Sequence, residues 1–450
     1  MSLLRLSILA ALIGCAPWTA MAQQAVPAVL QGHAVLRAAS FVAPPADAPA
    51  DLKVSGKYTS GVRVEALGSV MGRSAERPTG IALPVTGQVR QGHSGVKVMP
   101  DGTVWVLTDN GFGSKANSMD AMLYLNRYRV DWQAGTLAPQ DTVFLRDPDR
   151  KIPFRIIHED SAERYLTGSD LDTESFQPIG EHFWIGDEFG PYLLKTDRSG
   201  KVLALFETQI DGRIVRSPDH HAVATPGAPG QTYRDVTLKR SKGFEGMAAS
   251  RDGQFLYPLL EGPLWNEQTQ TWEQVDGKTV LRILEFSVAD ERWTGRYWLY
   301  PLEGTEHAIG DFNMIDTTTG LVIERDNGEG TPDKACAPGA DTQTCFSNLP
   351  RFKRVYKIEF SEANVGKAVR KLAYVDLLAI QDPDRKARKP LTDGVLQFPF
   401  FTIENVDVVD ADHIIVGNDN NFPFSSSREP NRQDDNEFVL LRTPELLRSR

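Results

Sequence analysis

Hydrophobic and polar positions alternate in short runs along most of this chain, and the clearest example is residues 242–262, KGFEGMAASRDGQFLYPLLEG. Glu245 opens one apolar run, a tight reversal follows at 251–253, and residues 254–260 form a second run that ends at Glu261. An Asp-Gly reversal between two runs of about six residues is typical of a β-hairpin. The pattern therefore predicts two antiparallel strands, with the opening and closing acids at the same end.

The same unit recurs in variant form four more times. In each copy a small or acidic residue opens the first run, and an acid closes the second. The opening and closing pairs are Ser94 and Asp109, Glu174 and Glu188, Glu245 and Glu261, Asp311 and Asp326, and Glu404 and Asp419. The members of these pairs are 15, 14, 16, 15 and 15 positions apart. Hairpins of such similar length, arranged radially, would bring all the pairs to one face of the molecule.

Further alternating runs between the hairpins add two strands to each unit. These runs are residues 121–130, 142–145, 192–195, 202–206, 280–286, 297–299, 355–360 and 372–375. Repeated four-stranded units are typical of a β-propeller. We predict an all-β propeller with five countable four-stranded blades and room for a sixth, closed by N- and C-terminal strands at residues 62–67 and 438–442.

The first 22 residues have the features of a secretory signal peptide. Arg5 precedes the apolar run 6–13, and Ala20-Met21-Ala22 is a small-residue cleavage pattern. Cys15 also resembles a lipoprotein processing site, which is the weaker alternative. We expect a periplasmic or secreted protein without a transmembrane segment.

Composition changes this picture in three ways. Residues 23–51 are rich in Ala, Pro and Gln and are interpreted as a flexible tether, which leaves residues 52–450 as a single propeller domain. Cys336 and Cys345 lie close together in a Pro-, Gly-, Asp- and Thr-rich segment, so we predict that they form a disulfide. The net charge of −10 argues against a nucleic-acid partner.

We expect that the substrate is a small-molecule phosphoester or ester and that the protein is a monomer.

Several longer motifs resemble a known family. They are Asp109-Asn110-Gly111 with Ser118 and Asp120, WIGDEFGP at 184–191, KGFEG at 242–246, FTIENV at 401–406, NDNNFPF at 418–424 with Arg428, and DNEF at 435–438. Together they resemble the bacterial phytase-like family, which is described as having esterase-like activity, over about residues 80–441. The resemblance implies phosphoester or ester hydrolysis on a β-propeller. It implies no agreed set of catalytic residues.

The acids of the hairpins are predicted to form two rings at one opening. Nine carboxylates converging there could not all remain ionised without cations. Ca²⁺ accepts about six to eight oxygen ligands, whereas Zn²⁺ is poorly suited because no His pair has ligand spacing. We predict a divalent metal, with Ca²⁺ preferred, bound by Glu174, Glu188, Glu261, Asp311, Asp326, Asp109 and Asp419.

The remaining roles follow from charge. Glu245 and Glu404 are candidate catalytic bases, and Lys242, Arg325 and Arg428 are candidates for binding a phosphate oxygen. Each acid could instead be a turn former and each cation an ion-pair partner. We predict an exported, metal-dependent, phytase-like hydrolase of phosphoesters. Two alternatives stay open: a non-catalytic calcium-stabilised propeller that binds a ligand or partner, and a lactonase or carboxylesterase on the same scaffold.

Overall fold

The computed structural model describes residues 23–450, so the predicted signal peptide and Cys15 lie outside the described residues. The predicted all-β class is confirmed. Within that range the helices are the α-helix Pro444–Arg448 and the 3-10 helices Ala50–Lys53, Pro332–Lys334 and Glu362–Asn364. None of the helices in residues 23–450 is long and apolar enough to cross a bilayer.

Most strands belong to five antiparallel four-stranded groups, which we call units 1 to 5. Unit 1 contains His93–Val98, Thr103–Thr108, Tyr124–Asp131 and Thr136–Phe144. Unit 2 contains Thr173–Ile179, His182–Asp187, Tyr192–Asp197 and Val202–Glu207. Unit 3 contains Phe244–Ala249, Phe255–Leu260, Lys278–Ser287 and Arg292–Pro301. Unit 4 contains Ala308–Met314, Thr319–Arg325, Lys353–Glu359 and Arg370–Asp376. Unit 5 contains Ile403–Val408, His413–Asn418, Asn436–Arg442 and Val29–Leu36.

The first strands of the five units surround a common axis. Each contacts the first strand of the next unit, and the first strand of unit 5 contacts that of unit 1. All five predicted hairpins are present, each made of the first two strands of a unit. The arrangement is propeller-like, because the units lie side by side around an axis.

Closure of the ring differs from the sequence prediction in the strand that is used. Val29–Leu36 pairs antiparallel with the last strand, Asn436–Arg442, and Gln24–Val26 adds parallel to unit 4. The prediction of a flexible tether at 23–51 is therefore wrong. Residues 62–67 form no strand, and the side chain of Val62 is 67% exposed. The composition of the N-terminal segment concealed a strand whose stability comes from a distant partner.

Most of the remaining strands have only two residues. They form the pairs Phe41–Val42 with Gln88–Val89, Val54–Ser55 with Val85–Thr86, Val70–Ser74 with Arg77–Leu83, Gln209–Ile210 with Arg213–Ile214, Trp265–Asn266 with Thr271–Trp272, and Ile380–Gln381 with Val395–Leu396. Gln274–Val275 pairs with the start of Lys278–Ser287. These pairs lie in the segments that precede unit 1 and connect the longer strands.

The hydrophobic core is divided among the spaces between neighbouring units. Leu107 of unit 1 belongs to one buried cluster with Ile185 of unit 2, and Leu259 of unit 3 belongs to another with Phe312 of unit 4. Burial between units favours the ring as a whole, since an isolated unit would expose both of its faces. The ring consequently holds the inner strand ends at fixed positions around the axis.

The predicted disulfide is confirmed. Cys336 and Cys345 are bonded, with a sulfur–sulfur distance of 2.03 Å and a Cα–Cα distance of 4.9 Å. The bond closes a short loop between the second and third strands of unit 4. It therefore tethers a connecting segment to itself and does not join two units.

Candidate metal centre

Three glutamates project from irregular positions on the innermost strands of units 2, 3 and 5. The strand pairing skips Glu174, Glu245 and Glu404, while the residues on either side of each remain paired. A β-bulge of this kind bends the strand and redirects one side chain. The three glutamates meet near the axis, and one carboxylate oxygen from each lies within 4.8 Å of the others.

Other acids reach the same place from just outside the strands. Glu188 and Glu261 follow the second strands of units 2 and 3, and Asp172 precedes the first strand of unit 2. Two further groups, Asp172 with Glu174 and Glu188, and Glu188 with Glu245 and Glu261, have the same 4.8 Å spacing. The three groups overlap and form one cluster. We call it the acidic cluster: Asp172, Glu174, Glu188, Glu245, Glu261 and Glu404.

Two predicted ligands flank the acidic cluster. Asp109 accepts a 2.7 Å hydrogen bond from the amide of Gly111, and Asp419 accepts one of 2.7 Å from the amide of Asn421. Gly92 makes room for the first of them, because a Cβ at this position would lie 2.0 Å from Asp109 Oδ1. Asp419 is buried and Asp109 is half-buried, and the negative charges of both act on the Glu404 carboxyl.

The acidic cluster is buried, but the protein satisfies it incompletely. Asp172 and Glu188 are 2% and 4% exposed, and Asp172 Oδ1 and Glu188 Oε1 have no hydrogen-bond partner among the described residues. Glu404 is better supported, because Ser94 Oγ donates to its Oε2 at 3.1 Å. Buried oxygens without partners carry a desolvation penalty. A ligand with positive charge would remove that penalty.

The pKa values of the acids also indicate that the acidic cluster lacks positive charge. Burial raises the pKa of Asp109 to about 6, that of Glu404 to about 7 and that of Asp172 to about 8. The same burial, together with the neighbouring carboxylates, raises the pKa values of a further four acids well above the usual range: Glu174, Glu188, Glu245 and Asp419. The acids repel one another in a site from which water is largely excluded.

Two of the three predicted phosphate-binding cations lie at the acidic cluster. Lys242 Nζ contacts Glu261 Oε2, and Arg325 Nη2 lies 3.3 Å from Glu404 Oε1. Burial opposes the charge of Lys242, but Glu261 and Glu188 outweigh it and raise its pKa. Arg325 packs against the ring of Phe401 and has a buried Nε without a partner. Both cations therefore stand beside members of the acidic cluster.

Asp311 was predicted as a metal ligand, and the structure gives it a different role. Its Oδ2 accepts hydrogen bonds of 3.1 Å from the amides of Val96 and Val406, and Oδ1 accepts one of 2.8 Å from the amide of Phe312. Asp311 does not belong to any of the three groups of the acidic cluster. Its carboxylate is occupied in joining the inner strands of units 1, 4 and 5, so the structure does not bring Asp311 into the acidic cluster.

Asp326 also lies apart from the acidic cluster. Its Oδ2 accepts hydrogen bonds from the amides of Arg351 and Phe352, and its Oδ1 accepts one from the amide of Gly328 and lies 3.3 Å from Lys353 Nζ. These bonds fix the loop that follows the second strand of unit 4. Asp326 therefore organises this loop, and the structure does not bring it into the acidic cluster.

Arg428 is not available to a substrate. Its Nε and Nη2 donate to the two carboxylate oxygens of Glu437 at 2.8 and 2.6 Å, and its guanidinium lies over the ring of Phe400. His33 Nε2 lies 3.0 Å from the same carboxylate. Because Glu437 and His33 belong to the two strands that close the ring, Arg428 stabilises the closure. The structure therefore places Arg428 at the closure of the ring and not beside the acidic cluster.

The sequence prediction missed Asp172. The repeat pattern assigned one opening acid to each unit, and Glu174 filled that position in unit 2. Asp172 lies two residues earlier, and the backbone amide of Glu188 donates to its carbonyl oxygen at 2.9 Å. The signal available in the sequence was the run Asp170, Asp172, Glu174, in which alternate positions are acidic.

The residues present fit a hard divalent cation. All members of the acidic cluster offer carboxylate oxygens, the ligands that Ca²⁺ prefers. Imidazole and thiolate ligands, which would favour zinc or copper, are absent from these three groups. Two of these oxygens, one from Asp172 and one from Glu188, are buried and have no hydrogen-bond partner among the described residues.

Comparison with known proteins gives a relative that aligns with about a third of this chain, and several solved structures of low similarity. The chain is 30% identical to an uncharacterised secreted protein of Arthroderma benhamiae over 166 residues, which are 33% of this chain and 32% of the relative. The chain thus spans about a third of the length of this curated relative. A luciferin-regenerating enzyme is 10% identical with a TM-score of 0.33, over 79% of this chain and 78% of that one. A putative 6-phosphogluconolactonase from Bacteroides fragilis is 11% identical with a TM-score of 0.29, over 78% and 89%.

The family match is much more extensive than these pairwise similarities. Residues 88–422 match the phytase-like family described as having the esterase-like activity of phytase. The matched range contains the first two strands of all five units and every member of the acidic cluster. Since the match covers most of the chain and includes its candidate site, this protein belongs to the phytase-like family.

Proposed function

We propose that this protein is an exported phytase-like hydrolase that cleaves phosphoesters with the help of a divalent cation, for which Ca²⁺ is the preferred candidate. The observation that carries the proposal is the acidic cluster, in which three overlapping carboxylate groups lie beside Lys242 and Arg325. Five units around one axis support a five-bladed propeller with this cluster at one end of its axis.

The acids have different tasks in this proposal. Glu174, Glu188 and Glu245 each belong to two of the three groups, so they are the central metal ligands. A bound divalent cation supplies charge neutralisation and makes a bound water more acidic. Glu404 is oriented by Ser94 on one oxygen and Arg325 on the other. We assign the proton-accepting role to Glu404, since its pKa of about 7 suits a general base near neutral pH.

Lys242 and Arg325 provide positive charge for an anionic substrate. The Lys242 side chain is 38% exposed, so its ammonium can move from Glu261 to a phosphate oxygen. The Arg325 guanidinium is held by Glu404 and Phe401, and its geometry suits two oxygens of one phosphate. This pair favours a phosphoester over a neutral carboxylic ester, for which little positive charge is needed.

Export has independent support. The sequence predicts a signal peptide at residues 1–22, and the Cys336–Cys345 disulfide suits an oxidising compartment. The Arthroderma benhamiae relative is described as secreted. We propose that the mature protein works outside the cytoplasm, in the periplasm or the medium.

Release of nitrophenol from 4-nitrophenyl phosphate and from 4-nitrophenyl acetate, with Ca²⁺ and then with a chelator, tests the proposal. We expect phosphate-ester turnover that is lost on chelation and in Glu245→Gln. Glu285→Gln is the matched control, because Glu285 is a buried glutamate of unit 3 outside the acidic cluster. Turnover of the acetate alone would support the carboxylesterase alternative. If neither ester is cleaved and chelation only lowers the melting temperature, the non-catalytic alternative is correct.

A further inference from the structure

A cleft with a volume of ≈ 1000 Å³ is lined by residues of two short hairpins, which we call the binding cleft. The hairpins are Gln209–Ile210 with Arg213–Ile214, and Trp265–Asn266 with Thr271–Trp272. The first follows the outermost strand of unit 2, and the second follows the second strand of unit 3. The residues that line the binding cleft include no member of the acidic cluster. The volume suits a small organic molecule.

Backbone hydrogen bonds hold the two sides of the binding cleft together. The amide of Thr237 donates to the carbonyl oxygen of Arg216 at 2.9 Å, and the carbonyl oxygen of Thr237 accepts from the amide of Trp265 at 2.8 Å. The amide of Glu273 donates to the carbonyl oxygen of Leu264 at 2.8 Å. Arg216 and Trp265 are therefore anchored to one residue between them. A site with a fixed backbone loses less conformational entropy when a ligand binds.

Arg216 lines the binding cleft with a guanidinium that lacks a partner. The residue is half-buried, and it forms no salt bridge within residues 23–450, whereas the exposed Arg213 lies 4.0 Å from Glu267. The Nε of Arg216 is buried and has no hydrogen-bond partner in the same range. A buried donor without an acceptor carries a desolvation penalty. An anion in the binding cleft would remove that penalty.

Arg282 also lines the binding cleft and has a donor to spare. Its Nε and Nη2 donate to the carboxylate of Glu273, with 2.9 Å between Nη2 and Oε1, and its guanidinium lies over the ring of Tyr297. The side chain is 14% exposed, and Nη1 is buried without a hydrogen-bond partner in the part of the chain that the structure describes. The contacts with Glu273 and Tyr297 fix the plane of the guanidinium, so Nη1 has a fixed direction.

Four acids line the binding cleft as well, but they do not neutralise Arg216. Glu273 is paired with Arg282. Asp211, Asp235 and Glu267 are exposed, so water screens their charges. Arg216 therefore remains the half-buried charge of the binding cleft that no protein group balances within residues 23–450.

Trp265 supplies a flat apolar surface next to these donors. Its ring is half-buried and packs edge-on against Trp272, with 5.0 Å between the ring centroids and an angle of 66°. Leu264 lines the binding cleft beside it. Aromatic rings pack well against flat apolar groups of a ligand. The binding cleft consequently combines guanidinium donors with a planar apolar wall.

We propose that the binding cleft binds a small organic oxyanion, a sulfonate, phosphate or carboxylate group on a flat apolar body. Arg216 and the Nη1 of Arg282 donate to the anionic group, and the ring of Trp265 packs against the flat body. The site is independent of the acidic cluster and of ester hydrolysis, and it gives the protein a second ligand.

Isothermal titration calorimetry of the metal-free, full-length mature protein with naphthalene-2-sulfonate tests the proposal. This probe carries an oxyanion on a flat body and contains no ester bond that the protein could cleave. We expect saturable binding at one site per chain. Methanesulfonate lacks the flat body and 2-naphthylmethanol lacks the charge, so each should bind at least about 10-fold more weakly.

Variants locate the site. Arg216→Met should raise the Kd of naphthalene-2-sulfonate by roughly 10- to 100-fold, because charge-assisted hydrogen bonds are lost. Trp265→Ala should raise it by about 10-fold. The matched control is Arg213→Met, which removes an arginine that is 84% exposed and should leave the Kd unchanged. Glu245→Gln in the acidic cluster should bind the probe as the wild type does, and circular dichroism confirms that each variant is folded.

Three results would overturn the proposal. They are no saturable binding to the wild type at millimolar probe, equal affinity for naphthalene-2-sulfonate and 2-naphthylmethanol, and a Kd that changes in Glu245→Gln but not in folded Arg216→Met. If Arg216→Met does not fold, Arg216→Lys replaces it and should bind the probe with intermediate affinity, since it keeps the charge without the guanidinium fork. An unchanged Kd in folded Arg216→Lys would also contradict the assigned role of Arg216.

Discussion

Two polar clusters lie near the axis of this ring, and they differ in how the protein satisfies them. The acidic cluster contains carboxylate oxygens that lack protein partners. A second cluster surrounds Asp311 and Asn313 on the inner strand of unit 4, and here protein groups supply the hydrogen bonds. The first has the character of a ligand site, and the second that of a structural joint.

The contacts of the second cluster reach all five units. Asn313 Nδ2 donates to the carbonyl oxygens of Val96 in unit 1 and Val406 in unit 5, at 3.3 and 2.8 Å. Gln177 of unit 2 donates to Asn313 Oδ1 at 2.8 Å and to the carbonyl oxygen of Met247 in unit 3 at 2.6 Å. We call this cluster the axial joint: Asp311, Asn313 and Gln177. Polar groups of this kind hold the inner strands in one register.

The comparison shows that an acid at a repeated position has no fixed role. Glu404 and Asp311 open equivalent hairpins in the sequence, yet Glu404 sits on a bulge and is held by the side chains of Ser94 and Arg325, while Asp311 accepts three backbone hydrogen bonds. What distinguishes the two is whether the donors are fixed backbone amides or side chains that can move. This criterion can be tested by removing charge from each cluster in turn.

The largest effect is expected from Glu245→Gln in the acidic cluster. The change removes one negative charge from two of the three groups, so turnover of 4-nitrophenyl phosphate should fall by roughly 10²–10⁴-fold, the range typical of an essential acid–base or ligand group. The melting temperature without metal should stay level or rise, because repulsion between buried acids is relieved. A loss of folding with unchanged turnover per folded molecule would show that Glu245 is structural.

Next in size is Arg428→Met, which tests a satisfied ion pair away from the axis. Removing one partner of the buried Arg428–Glu437 pair should cost about 3–5 kcal/mol of unfolding free energy. Chemical denaturation measures this cost, and Ca²⁺ binding by the folded fraction should remain unchanged. A change in the Michaelis constant without loss of stability would restore Arg428 to the substrate site.

Asp311→Asn should have a moderate and purely structural effect. The neutral amide weakens charge-assisted bonds to the amides of Val96 and Val406, which predicts a loss of about 1.5–3 kcal/mol. The number of bound Ca²⁺ ions should not change. Loss of one ion from a folded Asp311→Asn protein would return this residue to the metal ligands.

The pH should also change the stability of the metal-free protein. The folded-state pKa values of Asp109, Glu404 and Asp172, about 6, 7 and 8, lie above their unfolded values near 4. Groups with raised pKa values contribute stability below about pH 4, and this stability is lost as the pH rises through 6 to 8. Thermal unfolding should therefore show a melting temperature that falls as the pH rises from 5 to 8, and Ca²⁺ should reverse this fall. A metal-free protein that gains stability over this range contradicts the account.

The hairpins could be predicted from the sequence because they are local. Each pairs two runs joined by a short turn, and the alternation of apolar positions specifies both strands. Closure of the ring could not be predicted in this way. Val29–Leu36 is stabilised by Asn436–Arg442, more than 400 residues away, and its Ala- and Pro-containing surroundings resemble a linker.

The candidate site was only partly predictable, for a physical reason. Sequence spacing placed Glu174, Glu188, Glu245, Glu261 and Glu404 at one end, where the structure has them. Spacing alone does not show whether backbone amides reach a carboxylate, and this decides the roles of Asp311 and Asp326. Asp172 lies outside the hairpin pattern and enters the acidic cluster through the segment that leads into unit 2.

Anomalous diffraction from crystals grown with Ca²⁺, recorded at long wavelength, tests the central claim most directly. The account predicts strong anomalous density beside Glu174, Glu188 and Glu245, with carboxylate oxygens about 2.3–2.6 Å from its centre. The axial joint should show none. A featureless map at the acidic cluster at millimolar Ca²⁺, with its carboxylates bonded only to each other, to water, to Lys242 and to Arg325, would contradict the account.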